Sequence, residues 1–299
     1  MKSGTPEIPV RAESERKSSP PPSLHPPPQP PPMPELRWHE RLSVINVSLV
    51  IFLLAVLFST PVLKGSDRDL NYLQNFIRFA GNFFPPDFSV SIQTLKALGE
   101  TFQIAVMATL FAILLAVPLA VAGAQTMSPR WLVLLARLLM NCIRTIPSLI
   151  WALIAVAVVG ANSLAGVIAL SFYSLGYLGK FFSDTFESVD IDVAKGLRAI
   201  GANTLQAFQH GVWPHAKPFV WSHALWMLEY NIRSAAIIGY VGAGGVGVQL
   251  HTYQEYYAWQ KFATVLLFIL VLVTVLDFLG EWVRKKITKR LNNRPLSRS

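Results

Sequence analysis

The run "ETFQIAVMATLFAILLAVPLAVAGA", Glu100 to Ala124, holds one charged side chain, at its first position. A chain with such a run has few folds open to it, because about 20 consecutive apolar residues match the thickness of a bilayer. Six apolar segments can be placed, at about 43–63, 98–124, 131–160, 163–187, 217–240 and 260–283. In lipid each segment must satisfy its own backbone polar groups, so each is read as a helix. The expected fold class is therefore an all-α integral membrane protein with six transmembrane helices. Composition agrees, since only 14% of the 299 residues are charged and 52% are hydrophobic, where a soluble domain carries about a quarter charged. The third segment is long for one straight span and contains Pro147, which predicts a kinked helix.

The net charge of +9 could suit nucleic acid, but seven of the 26 basic residues crowd the end of the chain, from Arg284 to Arg298. That is a topology signal rather than a basic binding face, so no nucleic acid partner is expected. It places the 284–299 tail in the cytoplasm. Six spans then return the N-terminus to the same side, together with the loops at 125–130 and 188–216. The loops at 64–97 and 241–259 face outward. Residues 1–42 form a separate regime, with ten prolines between Pro20 and Pro34, read as a disordered cytoplasmic tail. The prolines and mixed charges ahead of the first apolar run are unlike a cleavable signal. Cys142 is the one cysteine, so the chain has no internal disulfide or cysteine metal cluster.

Two loops carry structure of their own. In the outer one, Tyr72, Phe76 and Phe79 recur at i, i+4 and i+7, which gives an aromatic-faced helix. It either lies in the headgroup region or packs on the outer ends of the bundle. In the cytosolic one, Val193, Leu197 and Ile200 repeat the same spacing, giving a helix over about 190–200. Gly201 is suited to end it, and Asn203 with Gln206 can form a capping box for a second short helix. Leu205 and Phe208 give that helix an apolar side. Pro214 removes a backbone donor and is expected to end it before the next span. Two short helices joined by a glycine elbow then project below the membrane. Their apolar stripe is covered either by a partner groove or by the bundle itself.

The stretch around this elbow resembles the "EAA" coupling loop of ABC-importer permeases, in which Glu-Ala-Ala, three residues, Gly and a distant Leu-Pro mark the piece that docks on the ATP-binding subunit. Aligned on Gly201, the family proline falls on Pro214. Lys195 stands in place of the acid, Gly196 and Leu197 replace the two alanines, and Trp213 replaces the leucine. The segments Glu100–Ala124, Arg144–Gly160 ("RTIPSLIWALIAVAVVG") and Glu229–Gly247 ("EYNIRSAAIIGYVGAGGVG") look like the phosphonate-uptake permeases, and the likeness runs over about 97–283. Glycine-betaine and methionine permeases share the glycines but less of the rest. The resemblance implies type I ABC importer permease architecture, with a core at 98–283 and a coupling loop at about 188–216. It also implies a second copy of the chain, a separate ATPase dimer that binds the ATP and Mg, and an external substrate-binding protein. Phosphonate, phosphate or phosphite would be the solute. The coupling residues would be Val193, Lys195, Gly196, Leu197, Ile200, Gly201, Ala202, Leu205, Phe208 and Pro214.

Charged residues inside apolar runs cost at least about 2.5–3.5 kcal/mol each, so Arg144, Glu229 and Arg233 should face the bundle interior or a wet cavity. Counting about 1.5 Å per residue, the two arginines come to similar depth. Either they form a positive zone for a passing oxyanion, or Glu229, four residues before Arg233, neutralises both and locks two helices together. "GAGGVG" (Gly242–Gly247) matches a dinucleotide fingerprint but follows a membrane helix rather than a strand, and reads as a tight re-entrant turn or as close packing against a partner chain. "GYLGKF" around Lys180 lacks the first glycine of a phosphate loop, and His210 and His215 have no carboxylate or cysteine beside them. The chain is therefore expected to be a permease and not an enzyme. An ABC permease for another small solute, such as glycine betaine or methionine, is the alternative within the class, and a secondary transporter the one from another class, whose mark would be inverted repeats and broken helices at the midplane.

Overall fold

The structure is a computed structural model, describing residues 44–63 and 71–292. The proline-rich tail at 1–42 and the last seven residues of the basic tail lie outside the described residues. The chain divides after Leu70 into two units. The first contains helix α1, Val44–Ser59, continued by a 3-10 turn, Thr60–Leu63, where a span over 43–63 is expected.

The second unit consists of helices joined by turns, with no strand among its described residues. Its elements are α2 Tyr72–Gly81, α3 Ser91–Gly123, α4 Arg130–Thr145, α5 Ser148–Val159, α6 Ser163–Ser188, α7 Ile191–Ala199, α8 Thr204–Ala207, α9 Trp213–Ile238, α10 Val246–Glu255 and α11 Trp259–Asn292. Three helices are long and apolar enough to cross a membrane, beginning at Phe88, Ser163 and Trp259, and α4 with α5 makes a fourth candidate as a bent pair. The last helix runs past 283 to Asn292, so the start of the basic tail is helical.

Packing explains why this bundle needs an apolar surround. Along α3 from Ala105 onward the buried positions are small, with Ala105, Ala108, Ala112, Ala116 and Ala120 all fully enclosed, while Leu110, Leu114 and Leu115 are exposed. A water-soluble helix does the reverse. Small residues let helix backbones approach closely where lipid removes the usual hydrophobic drive to bury leucine. The central helix is α6, packed against α3, α4, α5 and α9. Inside it a polar hub joins three helices. Asn231 on α9 donates to Thr109 on α3 at 2.9 Å and accepts from Ser174 on α6 at 3.0 Å, and all three are buried.

The expected kink at Pro147 is a break. Helices α4 and α5 meet at 88°, because Ile146 takes an extended conformation ahead of the proline. The Trp151 indole N–H donates back across the break to the Ile143 carbonyl at 3.2 Å. The other proline expectation also changes. Pro214 does not separate the second short helix from the next span, because α8 passes through a π-helical turn, Phe208–Val212, straight into α9. The Trp213 N–H reaches the Phe208 carbonyl five residues back. Pro214 sits in the first turn of α9, where its missing N–H is tolerated.

The aromatic helix predicted over 72–79 is α2, started by the Asn71 side chain accepting from the Gln74 N–H at 3.2 Å. Phe79 packs edge-on against Trp259 at 5.0 Å, while Tyr72 and Phe76 stay exposed. The following loop is tied to α11, since the Asp87 N–H donates to the Gln260 carbonyl and the Thr264 hydroxyl to the Asp87 carbonyl. Hydrogen bonds from Ser89 hold the Asp87 carboxyl below its ordinary range.

"GAGG" forms the turn between α9 and α10 with three of its glycines, Gly242, Gly244 and Gly245, at positive φ. The Val246 N–H donates to Thr101 Oγ1 at 2.8 Å, and the Ser163 hydroxyl meets the Glu100 carboxylate beside Gly244. The tight-turn reading holds, and the turn packs on α3 and α6 of its own chain.

Candidate functional site: a seated elbow and a paired charge array

Helix α7 opens on Asp190, whose side chain accepts from the Asp192 N–H. It ends at Gly201, where φ is +97°. The Ala202 N–H donates to the Leu197 carbonyl and the Gly201 N–H to the Arg198 carbonyl, both at 3.0 Å, which is the paired closure of a Schellman cap. The capping box is formed in full. Asn203 Oδ1 accepts from the Gln206 N–H at 2.8 Å, and Gln206 Oε1 accepts from the Asn203 N–H at 2.9 Å.

Of the two readings of the apolar stripe, cover by the bundle itself holds for half of it, and the other half is exposed. Leu197 does not share a free face with Val193 and Ile200. It turns inward with buried Ala194, packing with Ala207, Phe208 and Val212 in the cluster that includes Phe186 of α6. Phe208 meets Phe186 edge-on at 5.2 Å. Val193, Ile200 and Leu205 stay exposed, Ile200 at 82%. Lys195, Gly196, Gly201 and Pro214 are exposed as well, and Ala202 is half-buried. The elbow is thus seated on the bundle by one face and presents apolar residues on another. A rigid seat under an exposed apolar patch can receive a partner and pass a push onward.

Near it, Glu187 at the end of α6 accepts from Arg137 Nη2 at 2.5 Å and from the Gln125 N–H at 2.6 Å. Arg137 Nε donates to the Gly123 carbonyl at 3.0 Å, closing the end of α3. Glu187→Ala leaves the guanidinium and one backbone donor without that acceptor. The expected loss is about 1–2 kcal/mol, the low end for a charged hydrogen bond because both partners keep some solvent contact. It should appear as a lower unfolding midpoint in detergent, and an unchanged midpoint would show that the cluster does not bind the α3–α4 loop.

The three charges named inside the apolar runs do not assemble. Glu229 accepts from Arg284 Nη1 at 2.5 Å, and Arg233 Nη1 donates to Asp277 at 2.8 Å. The i, i+4 pair on α9 is replaced by two ion pairs that fasten α9 to α11. Arg144 lies apart from both, 5.0 Å from the centroid of the Tyr177 ring, at the C-terminal end of α4, where the helix dipole favours a cation. Asp277 was not picked out as a partner, although an acid within the last apolar run was the available signal.

Comparison with known proteins follows this geometry. A family model described as binding-protein-dependent transport system inner membrane component matches residues 108–289. The chain is 34% identical to the phosphite transport system permease protein PtxC of Stutzerimonas stutzeri, over 84% of this chain and 90% of that one. It is 30% identical to the phosphate-import permease protein PhnE of Mycolicibacterium smegmatis, over 68% of this chain and 38% of that longer protein. In fold it resembles the MetNI methionine ABC transporter in an inward-facing conformation, with a TM-score of 0.60 at 20% identity, over 67% of this chain and 99% of that one. The matched span holds the seated elbow, the α9–α11 ion pairs and the alanine-packed bundle together, and the chain belongs to the family of binding-protein-dependent transport system inner membrane components.

Proposed function

We propose that this ABC importer permease carries a phosphorus oxyanion, phosphonate, phosphite or phosphate, across the membrane. ATP hydrolysis takes place in a separate subunit. The identity to the phosphite and phosphate permeases supports the solute class. The observation that carries the mechanism is the elbow, with Val193, Ile200 and Leu205 presented beside inward-packed Ala194 and Leu197. An ATPase dimer grips that face, and nucleotide-driven closure rocks two copies of the chain about their common interface. Six crossings, made by 44–63, α3, the broken α4–α5 pair, α6, α9 and α11, put both termini and the elbow in the cytoplasm. The positive charges of Arg284, Lys285 and Lys286 at the end of α11 support that orientation. The α10–α11 corner then faces an external binding protein.

The test is ATP-dependent uptake by proteoliposomes containing the permease, its ATPase and its binding protein. Labelled phosphite, phosphate and methylphosphonate should accumulate, and methionine should not compete. Uptake of methionine or glycine betaine in their place would overturn the solute, and labelling of residue 203 from outside intact cells would overturn the orientation.

A further inference from the structure

Between α6 and α9 lies an aromatic ladder that a search for charges passes over. Tyr173, Tyr177 and Phe181 stand four residues apart on α6, and Trp226 and Tyr230 four apart on α9. The Tyr173 and Tyr230 rings stack at 5.3 Å, and the Tyr230 hydroxyl donates to the Tyr173 hydroxyl at 2.7 Å. Tyr177 follows at 4.9 Å from Tyr173, and Arg144 caps the series over the Tyr177 ring. The α4 backbone comes this close because a Cβ on Gly176 would lie 3.1 Å from the Arg144 nitrogen.

Arg144 differs from three other arginines of the bundle. Arg137, Arg233 and Arg284 each meet a carboxylate. Among the described residues no carboxylate pairs with Arg144, and an aromatic face accepts almost none of the five N–H bonds a guanidinium can donate. One ring further along the ladder, the Tyr230 hydroxyl spends its proton on Tyr173, which also has Tyr177 as a hydrogen-bond partner, so three phenolic protons serve two internal bonds and one is left to be donated elsewhere. Arg144, Tyr177 and Tyr230 are half-buried, so the group reaches the surface of this chain. A cation and a phenolic donor with no acid between them are matched to a tetrahedral oxyanion, which offers several acceptors and full charge.

The geometry points to an oxyanion-binding station formed by the guanidinium of Arg144 and the one phenolic proton left over from the Tyr230–Tyr173–Tyr177 hydroxyls, with Tyr230 holding Tyr173 in place, on the route of the transported solute. This rests on the proposed import of a phosphorus oxyanion. The same chemistry would also hold a lipid phosphate, and the experiment separates the two sources. Tyr173→Phe with Tyr230→Phe, Arg144→Gln and Arg144→Lys are compared with wild type in proteoliposomes, reading labelled phosphite and phosphate uptake, ATPase stimulation by the loaded binding protein, and unfolding midpoint.

The double Tyr variant and Arg144→Gln should each lower solute moved per ATP by about 10-fold, the scale of a charged hydrogen bond. ATPase stimulation and midpoint should stay at wild-type levels, and Arg144→Lys should recover part of the loss. Wild-type uptake by the variants overturns the station. So does a fall in midpoint that depends on added phospholipid while solute per ATP is unchanged, since that assigns the group to a headgroup. If wild type itself moves no phosphorus oxyanion, the import reading fails instead.

Discussion

Gly201→Val should lower transport by at least about 10-fold while the protein still reaches the membrane. At φ +97° an L-residue is strained by about 1–2 kcal/mol, and a β-branched one fares worst. The space around this glycine is open, so the strain is in the backbone and cannot be relieved by a neighbour moving aside. The chain escapes by opening the Schellman closure, which shifts α7 relative to α8 and breaks up the surface on which Val193, Ile200 and Leu205 are displayed. Leu205→Glu tests the same face without touching the backbone. Its side chain is 63% exposed and the capping box beside it is intact, so the fold should hold while docking fails. The check is uptake together with ATP hydrolysis in the assembled transporter. Full uptake in both variants would show that the elbow is not where force enters.

Gly247→Val should act on folding itself and leave little monodisperse protein after detergent extraction. A Cβ at this position would lie 2.7 Å from Gly239 Cα and against the Ala236 carbonyl. Overpacking commonly costs 1–3 kcal/mol where side chains can shift. Here the obstacles are main chain of α9 and the turn after it, so relief requires parting α10 from α9. Asn231→Leu is a milder comparison, because it removes two hydrogen bonds whose average worth in a membrane protein is about 0.6 kcal/mol. A Gly247→Val protein that accumulates and melts like wild type would mean that α10 does not pack on α9 as described.

Local chemistry was readable in the sequence wherever the determining atoms lie within a few residues of each other. The Asn203–Gln206 box, the Gly201 elbow and the Asn71-started aromatic helix all answer to spacing alone. What depends on another helix was not readable. Leu197 shares its spacing with Val193 and Ile200, yet it turns inward because Gly211 brings the π turn close under α7. Glu229 and Arg233 are well spaced to pair on α9, but Arg284 and Asp277 offer themselves from α11, and no periodicity within α9 encodes that. Prolines marked the right places with the wrong outcomes. Pro147 produced an 88° break where a kink was expected, and Pro214 was absorbed where an end was expected. The phenolic ladder was invisible because its members carry no formal charge.

The wide turn at Phe208–Val212 holds one residue more than an α-helical turn would need. Each residue rotates a helix by about 100°, so that extra residue sets the angular phase between the elbow below and the face of α9 that carries Tyr230 and Asn231 above. Removing any one residue from the turn would leave both ends intact and point them in unmatched directions, like a camshaft reassembled one tooth out.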